Sequence, residues 1–258
     1  MRYLFVGDTH GTQDLDKLRS RAFMLLGMEK QDALIHCGDF GAPWQSQDDE
    51  ALRFFRALSC KVIICLGNHE NYDWIDHQSI VTRFQCRGYD LGGKLFAPLP
   101  GEMALLGGRS FWFYPGGYSL DYSLRKPGKT IFAREMLSLK ESNAAITRFF
   151  RRGEVDYVIS HDGPLSFVQE QFGFHVSKPP KAYYDHLELP RESRAHPAHA
   201  LERVYQSGCF GRWYFGHHHR DAQQGNVRCL FHLMALEDSR NDRRLFIDPN
   251  KPDETINS

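Results

Sequence analysis

The sequence predicts an α/β fold built on a largely parallel sheet, and three observations lead to this prediction. The chain has 258 residues, of which 41% are hydrophobic and 25% charged, values ordinary for a soluble globular protein that buries a substantial core. Apolar runs of strand length alternate with helical patterns along its first 70 residues. Five such runs are each followed within two residues by Asp, Asn or His. In open α/β sheets, ligands bind at this carboxyl edge of the strands.

The first 66 residues have the pattern strand–helix–strand–helix–strand. The strand runs are short and rich in apolar and β-branched residues, whereas the helices repeat apolar residues at spacings of three and four. The five elements are predicted at Arg2–Val6, Gln13–Met28, Ala33–Cys37, Ser46–Leu58 and Lys61–Leu66, with Ser46 as the N-cap of the second helix. This order predicts parallel pairing with right-handed crossovers.

After about residue 80, Gly and Pro separate short apolar runs, a pattern typical of antiparallel strands and hairpins. Strands are predicted at Leu95–Phe96, Met103–Leu106, Ser110–Tyr114, Val155–Ser160, Arg212–Phe215, Val227–Leu233 and Arg244–Ile247, and helices at Ala133–Arg151 and Pro197–Gln206. Segments 115–130 and 172–197 lack clean periodicity. Long irregular connections in compact domains are commonly functional, so we expect both at the rim of a pocket. Residues 1–247 are predicted to form one domain, followed by a frayed polar tail, 248–258.

Charge and cysteine content restrict the classes of partner and compartment. Lys plus Arg and Asp plus Glu both total 32, and no basic stripe indicates an extended nucleic-acid-binding face, although a nucleic-acid substrate stays open. The six cysteines occur singly, which favours reduced, structural thiols. The first residues already form a predicted strand, and no apolar run approaches the roughly 20 residues of a membrane span. We therefore expect a cytoplasmic protein without a membrane segment.

Oxygen and nitrogen donors dominate the strand-end motifs. Such donors suit Mn, Fe or Zn, and the set contains no thiolate of the kind that builds a structural zinc site. Seven donors are too many for one ordinary site but fit two ions that share one carboxylate. Two such ions can hold the attacking and leaving oxygens of a phosphoryl transfer. The candidate ligands are Asp8, His10, Asp39, Asn68, His161, His217 and His219.

The order Asp-x-His, Gly-Asp, Gly-Asn-His-Glu, His, Gly-His-x-His resembles the calcineurin-like metallophosphoesterases, over the span from Asp8 to His219. The resemblance implies a four-layer α/β/β/α sandwich. It also implies a phosphoesterase that hydrolyses a phosphomonoester or phosphodiester, nucleotide-like or otherwise small, by in-line attack of a metal-bridging hydroxide. Two divalent ions are implied, with Mn expected first and Fe or Zn as alternatives. By resemblance, Asp8, His10 and His219 bind the first ion, Asn68, His161 and His217 bind the second, Asp39 bridges them, and His69 assists the leaving group, so that His69, Asp39 and Asn68 form the catalytic set.

One motif departs from the family pattern. Protein phosphatases of this family carry Gly-Asp-x-x-Asp-Arg-Gly, whose second Asp orients the catalytic histidine, but Ala42 stands at that position here. The departure favours a bacterial-type member over the narrow Ser/Thr protein phosphatase group. It also leaves His69 in need of another orienting residue, for which Asp73 is a candidate. A protein phosphatase and a non-catalytic scaffold remain as alternatives, although the scaffold has no lost ligand to support it.

The Gly-Gly loop that starts at Gly116 also resembles a loop of bacterial members of the superfamily. Its backbone amides and Arg125 are candidates for binding phosphate, with an ordinary salt bridge as the alternative role of Arg125. Tyr118 and Tyr122 of this loop, together with Tyr183 and Tyr184, are candidates for stacking on a base. Other polar residues receive structural roles: Glu70 as a local hydrogen-bond partner, His36 beneath the site, His218 pointing away from it, and His175, His186, His196, His199 and His232 on loops or the surface.

Overall fold

Two β-sheets packed face to face form the centre of the protein. The structure, a computed structural model, describes residues 1–44, 49–173, 176–240, 243–252 and 255–257. Within these residues one sheet has nine strands and the other has six.

The nine-stranded sheet holds the first three predicted strands side by side. Its strands are β1 (Arg2–Val6), β2 (Ala33–His36), β3 (Lys61–Ile64), β4 (Ile80–Arg83), β5 (Cys86–Asp90), β6 (Leu95–Pro98), β13 (Met234–Asp238), β14 (Arg243–Ile247) and β15 (Thr255–Asn257). Their spatial order is β15-β14-β13-β1-β2-β3-β6-β5-β4. Strands β1, β2, β3 and β6 pair in parallel, whereas the outer strands pair antiparallel.

The six-stranded sheet holds the other two strands that end in candidate ligands, β9 and β10. Its strands are β7 (Met103–Leu106), β8 (Arg109–Tyr114), β9 (Val155–Ser160), β10 (Phe210–Phe215), β11 (Ala222–Gln224) and β12 (Val227–Cys229). Their order is β11-β12-β10-β9-β8-β7, with β8, β9, β10 and β12 parallel. The five ligand-bearing strands therefore come from both sheets.

Helices cover the outer face of each sheet. They are α1 (Asp16–Arg19), α2 (Arg21–Leu25), α3 (Glu50–Ala57), α4 (Tyr72–Asp76), α5 (Leu139–Arg152), α6 (Leu165–Phe172), α7 (Lys181–His186) and α8 (Pro197–Ser207), with 3-10 turns at Tyr122–Leu124 and Ala133–Glu135. Helices α1 to α4 pack on the first sheet through residues such as Phe23 and Phe55. Helices α5, α6 and α8 pack on the second through Ile146, Phe167 and Leu201.

The side chains of β1 show why two apolar layers arise from one strand. Leu4 and Val6 face the helices, whereas Tyr3 and Phe5 face the second sheet, because successive residues of a strand point to opposite faces. Phe5 stacks on Tyr214 of β10 with ring centroids 4.0 Å apart. Strands buried on both faces read as continuous apolar runs. The four-layer α/β/β/α sandwich that the resemblance implied is confirmed.

The predicted helix at Gln13–Met28 is two short helices, because Ser20 is extended at φ −64° and ψ 154°. The Ser20 hydroxyl donates to the carbonyl of Lys17 at the end of α1. It also accepts the amide of Phe23 at the start of α2. Similarly, helix α3 begins with Asp49 as its N-cap; the predicted cap, Ser46, lies outside the described residues.

Several elements escaped the sequence prediction. Strand β4 is only four residues long and has no fully buried residue, although it contains Ile80 and Val81. Helices α6 and α7 fall in stretches that are interrupted by Gly and Pro. The expectation of a frayed tail is wrong for Thr255–Asn257, which pairs with β14 as an edge strand.

Candidate metal centre

The loops after β1, β2, β3, β9 and β10 meet at one edge of the sandwich and bring the candidate ligands together. Backbone hydrogen bonds join them: the amide of Asp8 donates to Gly38 (3.0 Å), and that of Gly216 donates to His161 (3.0 Å). Asp8, Asp39, Asn68 and His161 are at most 2% exposed. The site is therefore built from both sheets, with its acidic groups removed from water.

The first group of donors consists of Asp8, His10, Asp39 and His219. One ligand atom from each lies within 4.8 Å of the other three. The His10 Nε2 atom is 3.2 Å from Asp39 Oδ2, and the His219 Nε2 atom is 4.0 Å from Asp8 Oδ1. Two carboxylates and two imidazoles form a donor set that fits a borderline divalent metal.

The second group of donors surrounds His161. Its Nδ1 donates to the carbonyl of Cys37 (2.9 Å), which leaves Nε2 facing the site. That Nε2 atom lies 2.9 Å from Asn68 Oδ1 and 3.2 Å from Asp39 Oδ1. The rings of His161 and His217 have centroids 4.8 Å apart. The structure thus brings Asn68, His161 and His217 together beside Asp39.

Asp39 lies between the two groups. Its Oδ2 atom faces His10, and its Oδ1 atom faces His161 and also accepts the backbone amide of His69 (2.7 Å). Each carboxylate oxygen therefore faces a different group of donors. Burial would raise the pKa of Asp39, but the charge of His161 and hydrogen bonds from His10 and His161 outweigh it and hold that pKa well below its usual range.

The electrostatics of the first group favour a cation. Burial and the neighbouring Asp39 carboxylate raise the pKa of Asp8 to about 6, against the lowering effect of His161. A carboxylate whose charged form is disfavoured in this way is stabilised by a nearby positive ion. The residues present therefore fit a divalent metal both by donor chemistry and by charge.

Unusual backbone conformations occur at five of the seven candidate ligands. Asp8, His10, Asp39, His217 and His219 have φ between 44° and 71°. This left-handed region is uncommon for residues other than glycine, although Asp and His enter it more often than most, and such residues concentrate at functional sites. The backbone therefore turns sharply where it presents each of these side chains.

Glycines next to the ligands allow the loops to approach one another. A Cβ at Gly38 would lie 2.1 Å from His161 Nδ1, and one at Gly216 would lie 2.4 Å from Asp8 Oδ2. Real Cβ atoms do not tolerate such distances. The strand–glycine–ligand pattern of the sequence thus has a steric cause.

Residues that the sequence analysis passed over support the ligands from behind. Asp14 Oδ2 accepts from His10 Nδ1 (2.8 Å), and the two residues are four positions apart in the chain. Lys17 is buried and its Nζ donates to the carbonyls of Gly7 (2.6 Å), Asp8 (3.1 Å) and Phe231. The spacing of four between His10 and Asp14 was the one sequence signal for such support.

Glu70 and His36 have the structural roles that the sequence analysis predicted for them. Glu70 is fully buried and accepts the amides of Phe40 (3.0 Å), Gly41 (2.8 Å) and Gly67 (2.9 Å), which ties together the loops after β2 and β3. Burial, with a contribution from Asp39, raises the pKa of Glu70 to about 7. His36 lies beneath the site, where its Nε2 contacts the Thr9 hydroxyl at 3.0 Å.

A buried polar network holds the amide of Asn68. Its Nδ2 donates to the Ser119 hydroxyl (3.0 Å), which donates to Glu135 Oε2 (2.5 Å) and accepts from Arg125 (2.7 Å). Arg125 is 9% exposed and forms an ion pair with Glu135 at 3.2 Å. Burial raises the pKa of Glu135 to about 8, although Arg125 opposes the shift. The salt-bridge role of Arg125 is therefore the one observed.

The Gly-Gly loop does not offer free amides to an anion. The amide of Gly116 donates to Leu66 (2.8 Å) and that of Gly117 donates to Glu135 (2.9 Å). Instead, a Cβ at Gly117 would lie 2.7 Å from Asn68 Oδ1 and 2.8 Å from His217 Cε1. Glycine is needed here to make room for two candidate ligands, and the prediction of anion binding by these amides is wrong.

A cavity of about 600 Å³ opens at the metal centre, and both irregular segments contribute to its wall. Segment 115–130 contributes Tyr118, Ser119, Leu120 and Asp121, and segment 172–197 contributes Val176, Ser177 and His196. His196, predicted on a loop or the surface, and His218, predicted to point away from the site, both line the cavity instead. His218 Nε2 is hydrogen-bonded to the buried Asp162 (2.9 Å). His175, predicted on a loop, lies outside the described residues.

The tyrosines predicted to stack on a base divide into two kinds. Tyr118 lines the cavity, with its ring edge-on to Tyr183 at a centroid distance of 5.2 Å. Tyr183 and Tyr184 are 0% and 3% exposed and belong to a small apolar cluster behind it. Tyr122 packs on Tyr183 and is not among the described residues that line the cavity. Stacking by Tyr183 and Tyr184 is therefore contradicted by their burial, whereas stacking by Tyr122 stays a prediction.

His69 lines both this cavity and a smaller neighbouring one of about 250 Å³, whose wall includes Trp44 and Arg125. The ring of His69 is edge-on to that of His10, with centroids 5.5 Å apart. Asp73 is exposed on α4, and no hydrogen bond or ion pair found among the described residues joins it to His69. The prediction that Asp73 orients His69 is therefore wrong, and Ala42 is buried without a polar group to replace it.

The chain belongs to the calcineurin-like phosphoesterase family, whose sequence model matches residues 1–221. This family comprises hydrolases of phosphate esters that generally use divalent metals, and the donor cluster around Asp39 is consistent with that chemistry. Within the described residues, no helix is both long and apolar enough to span a bilayer.

Solved structures show distant likeness over nearly the whole chain. An archaeal phosphodiesterase is 13% identical with a TM-score of 0.42, covering 96% of this chain and 99% of its own. The protein TT1561 from Thermus thermophilus is 11% identical with a TM-score of 0.49, covering 99% and 98%. The phosphoesterase YfkN from Bacillus subtilis is 12% identical with a TM-score of 0.47, covering 95% and 85%. No curated protein sequence matches the chain.

Proposed function

We propose that this protein is a dinuclear metal-dependent phosphoesterase that hydrolyses a small phosphomonoester or phosphodiester. The observation that carries the proposal is the position of Asp39, whose two carboxylate oxygens face two separate groups of donors at 3.2 Å each. Asp8, His10 and His219 would bind one ion, and Asn68, His161 and His217 the other. Oxygen and imidazole donors suit Mn first, with Fe or Zn as alternatives.

When bound, the two ions supply Lewis-acid stabilisation of the charge that develops on the phosphoryl oxygens. The chain's own residues supply position and proton donation. Asn68 presents its amide oxygen because Ser119 holds the amide nitrogen. Burial lowers the pKa of His69, which makes its imidazolium form a stronger proton donor to a leaving oxygen. Such proton donation contributes about 10²- to 10⁴-fold in rate.

Two other functions are less well supported. A Ser/Thr protein phosphatase would need an acidic residue to orient His69, and the equivalent position is the buried Ala42. A non-catalytic scaffold would be expected to have lost ligands, but all seven candidate ligands are retained. We also propose a reducing, cytoplasmic setting, which the six free cysteines support.

Metal removal tests the proposal. The purified protein is analysed for metals by mass spectrometry, stripped with a chelator, and assayed with p-nitrophenyl phosphate and bis(p-nitrophenyl) phosphate after addition of Mn²⁺, Fe²⁺ or Zn²⁺. We expect two ions per chain, loss of hydrolysis on stripping, and the strongest recovery with Mn²⁺. Full activity of the metal-free protein would contradict the proposal, and two bound ions without hydrolysis of any ester would favour the scaffold.

A further inference from the structure

The wall of the large cavity contains apolar groups that the proposed chemistry does not use. Besides the candidate ligands, the cavity is lined by Tyr118, Leu120, Val168 and Val176, which come from the loop after β8, from α6 and from the segment after it. A volume of about 600 Å³ is well above what a phosphate group fills and is typical of small-molecule sites. The cavity therefore has room for an organic group next to the metal centre.

Leu120 is the most unusual of these residues. It is 83% exposed although it lines the cavity, so its side chain is in contact with water unless a ligand covers it. Tyr118, in contrast, is 7% exposed and is held by Tyr183 at 5.2 Å and by His196 at 5.7 Å between ring centroids. A fixed aromatic ring and an exposed leucine together offer an apolar surface to a bound group.

The charge of the wall restricts what that group can be. Among the described residues that line the cavity there is no Lys or Arg. Beyond the ligands, its acids are Asp14, paired with His10 at 2.8 Å, Asp162, paired with His218 at 2.9 Å, and Asp121, which is 45% exposed. Arg125 lines only the smaller neighbouring cavity, where it is paired with Glu135. Among these described residues a second phosphate would find acids nearby and no Lys or Arg to bind it.

We infer that the cavity selects esters with a single phosphate group and an uncharged organic group of up to nucleoside size that has an apolar face. Tyr118, Leu120, Val168 and Val176 contact that organic group. The inference rests on the proposed function only in placing the phosphate at the metal centre. Polyphosphates and bisphosphates are disfavoured, because the described part of the wall offers a second phosphate no Lys or Arg.

Binding measurements on the metal-loaded protein test the inference independently of hydrolysis. Calorimetry compares inorganic phosphate with the non-hydrolysable phosphonate analogues of thymidine 5′-monophosphate and thymidine 3′,5′-bisphosphate, called here the monophosphate and the bisphosphate. We expect the monophosphate to bind about 10-fold or more tightly than phosphate, since apolar contacts of this size contribute about 10- to 200-fold. We expect the bisphosphate to bind no more tightly than the monophosphate.

Two charge variants in the same loop sharpen the test. Leu120→Lys places a cation in the wall and should improve binding of the bisphosphate relative to the monophosphate by about 10-fold. Leu124→Lys is the matched control, because Leu124 is 86% exposed and is not among the described residues that line either cavity. In Leu124→Lys, the affinity for the bisphosphate relative to that for the monophosphate should stay at the parent value.

Three results would overturn the inference: tighter binding of the bisphosphate than of the monophosphate to the parent protein, equal binding of phosphate and monophosphate, or equal shifts in the two lysine variants. Failure of the proposed function is a separate result, since it would be seen as absent ester hydrolysis whatever the order of affinities.

Discussion

Removing one hydroxyl, that of Ser119, should weaken one of the two proposed metal sites and leave the other intact. Ser119 is 1% exposed and uses its full hydrogen-bonding capacity: it accepts from Asn68 and Arg125 and donates to Glu135, at 3.0, 2.7 and 2.5 Å. Ser119→Ala removes the partner of the Asn68 amide. The amide oxygen, which faces His161, is then free to turn away from the site.

The expected magnitudes follow from these contacts. The ion pair of Arg125 and Glu135, 3.2 Å long, does not use the Ser119 hydroxyl, but the buried amide of Asn68 loses its partner, and Arg125 Nη1 and Glu135 Oε2 each lose one hydrogen bond. An unsatisfied buried group costs about 1–3 kcal/mol of stability. Loss of a residue that orients a metal ligand typically lowers metal affinity about 10- to 100-fold. We expect this loss at the site of Asn68, His161 and His217, with little change at the site of Asp8, His10 and His219.

Metal titration followed by calorimetry, together with urea unfolding of the metal-free protein, measures both effects. Ser110→Ala is the matched control. Ser110 is also buried, 6% exposed, and bonds to Asp156 Oδ2 (2.7 Å) and to the Asp156 amide (2.9 Å), where β8 and β9 begin. The control should lose similar stability and keep both affinities, and Ser119→Thr should restore the weaker site. If Ser119→Ala binds two ions with the affinities of the parent protein, the reasoning is refuted. If Ser119→Ala and Ser110→Ala lose metal affinity equally, the cause is general instability.

Two further predictions concern the shared carboxylate and the acid limb of stability. Asp39→Asn should lower metal occupancy and ester hydrolysis by orders of magnitude while circular dichroism stays native, and His218→Ala should cost far less; equal losses would contradict the bridging role. Asp32 is 2% exposed, and hydrogen bonds from Arg2 and the amide of Glu29 outweigh burial and lower its pKa below the usual value of 3.8. A lowered folded-state pKa gives stability that is present above about pH 4 and lost as pH falls through the folded pKa. Asp32→Asn should therefore cost about 1–2 kcal/mol in urea unfolding at pH 7 and much less at pH 3, and an equal cost at both would contradict the assignment.

The strand ends could be predicted from the sequence because four of the five combine three local signals. A run such as Lys61–Ile64 is apolar and β-branched, a glycine follows, and then a metal-binding side chain. All three signals lie within about eight residues, so no knowledge of distant contacts is needed. The break of the first helix at Ser20 also has a local cause, but serine occurs inside helices as well as at their ends, and the pattern of apolar residues continues across it.

The supporting residues could not be predicted in the same way, because they act through distant contacts. Glu135 reaches Asn68 through Ser119, across 16 and 51 residues of sequence. Arg125 lies in a glycine-rich loop, and a guanidinium group is able to bind phosphate. Only the structure shows that this group is buried and already paired with Glu135. His196 and Val176 line the cavity from a segment without periodicity. The lack of periodicity predicted that the segment lies at the pocket rim, but it could not predict which of its side chains face the cavity.

The strained loops of the candidate metal centre explain why two buried ionisable side chains, Glu70 and Lys17, lie behind it. Residues with positive φ cost of order 1–3 kcal/mol each when the surroundings do not compensate, and sharp turns leave backbone groups without regular partners. Glu70 accepts three amides of the loops after β2 and β3, and Lys17 donates to three carbonyls, two of them in the loop after β1. The Glu70 carboxylate accepts hydrogen bonds from backbone amides, and the Lys17 ammonium donates hydrogen bonds to backbone carbonyls. Each side chain therefore supplies the hydrogen-bond partners that the turns of its loops leave missing. Neither residue is a candidate ligand, yet both fix the conformations of Asp8 and Asp39, and the geometry of the metal centre therefore depends on them.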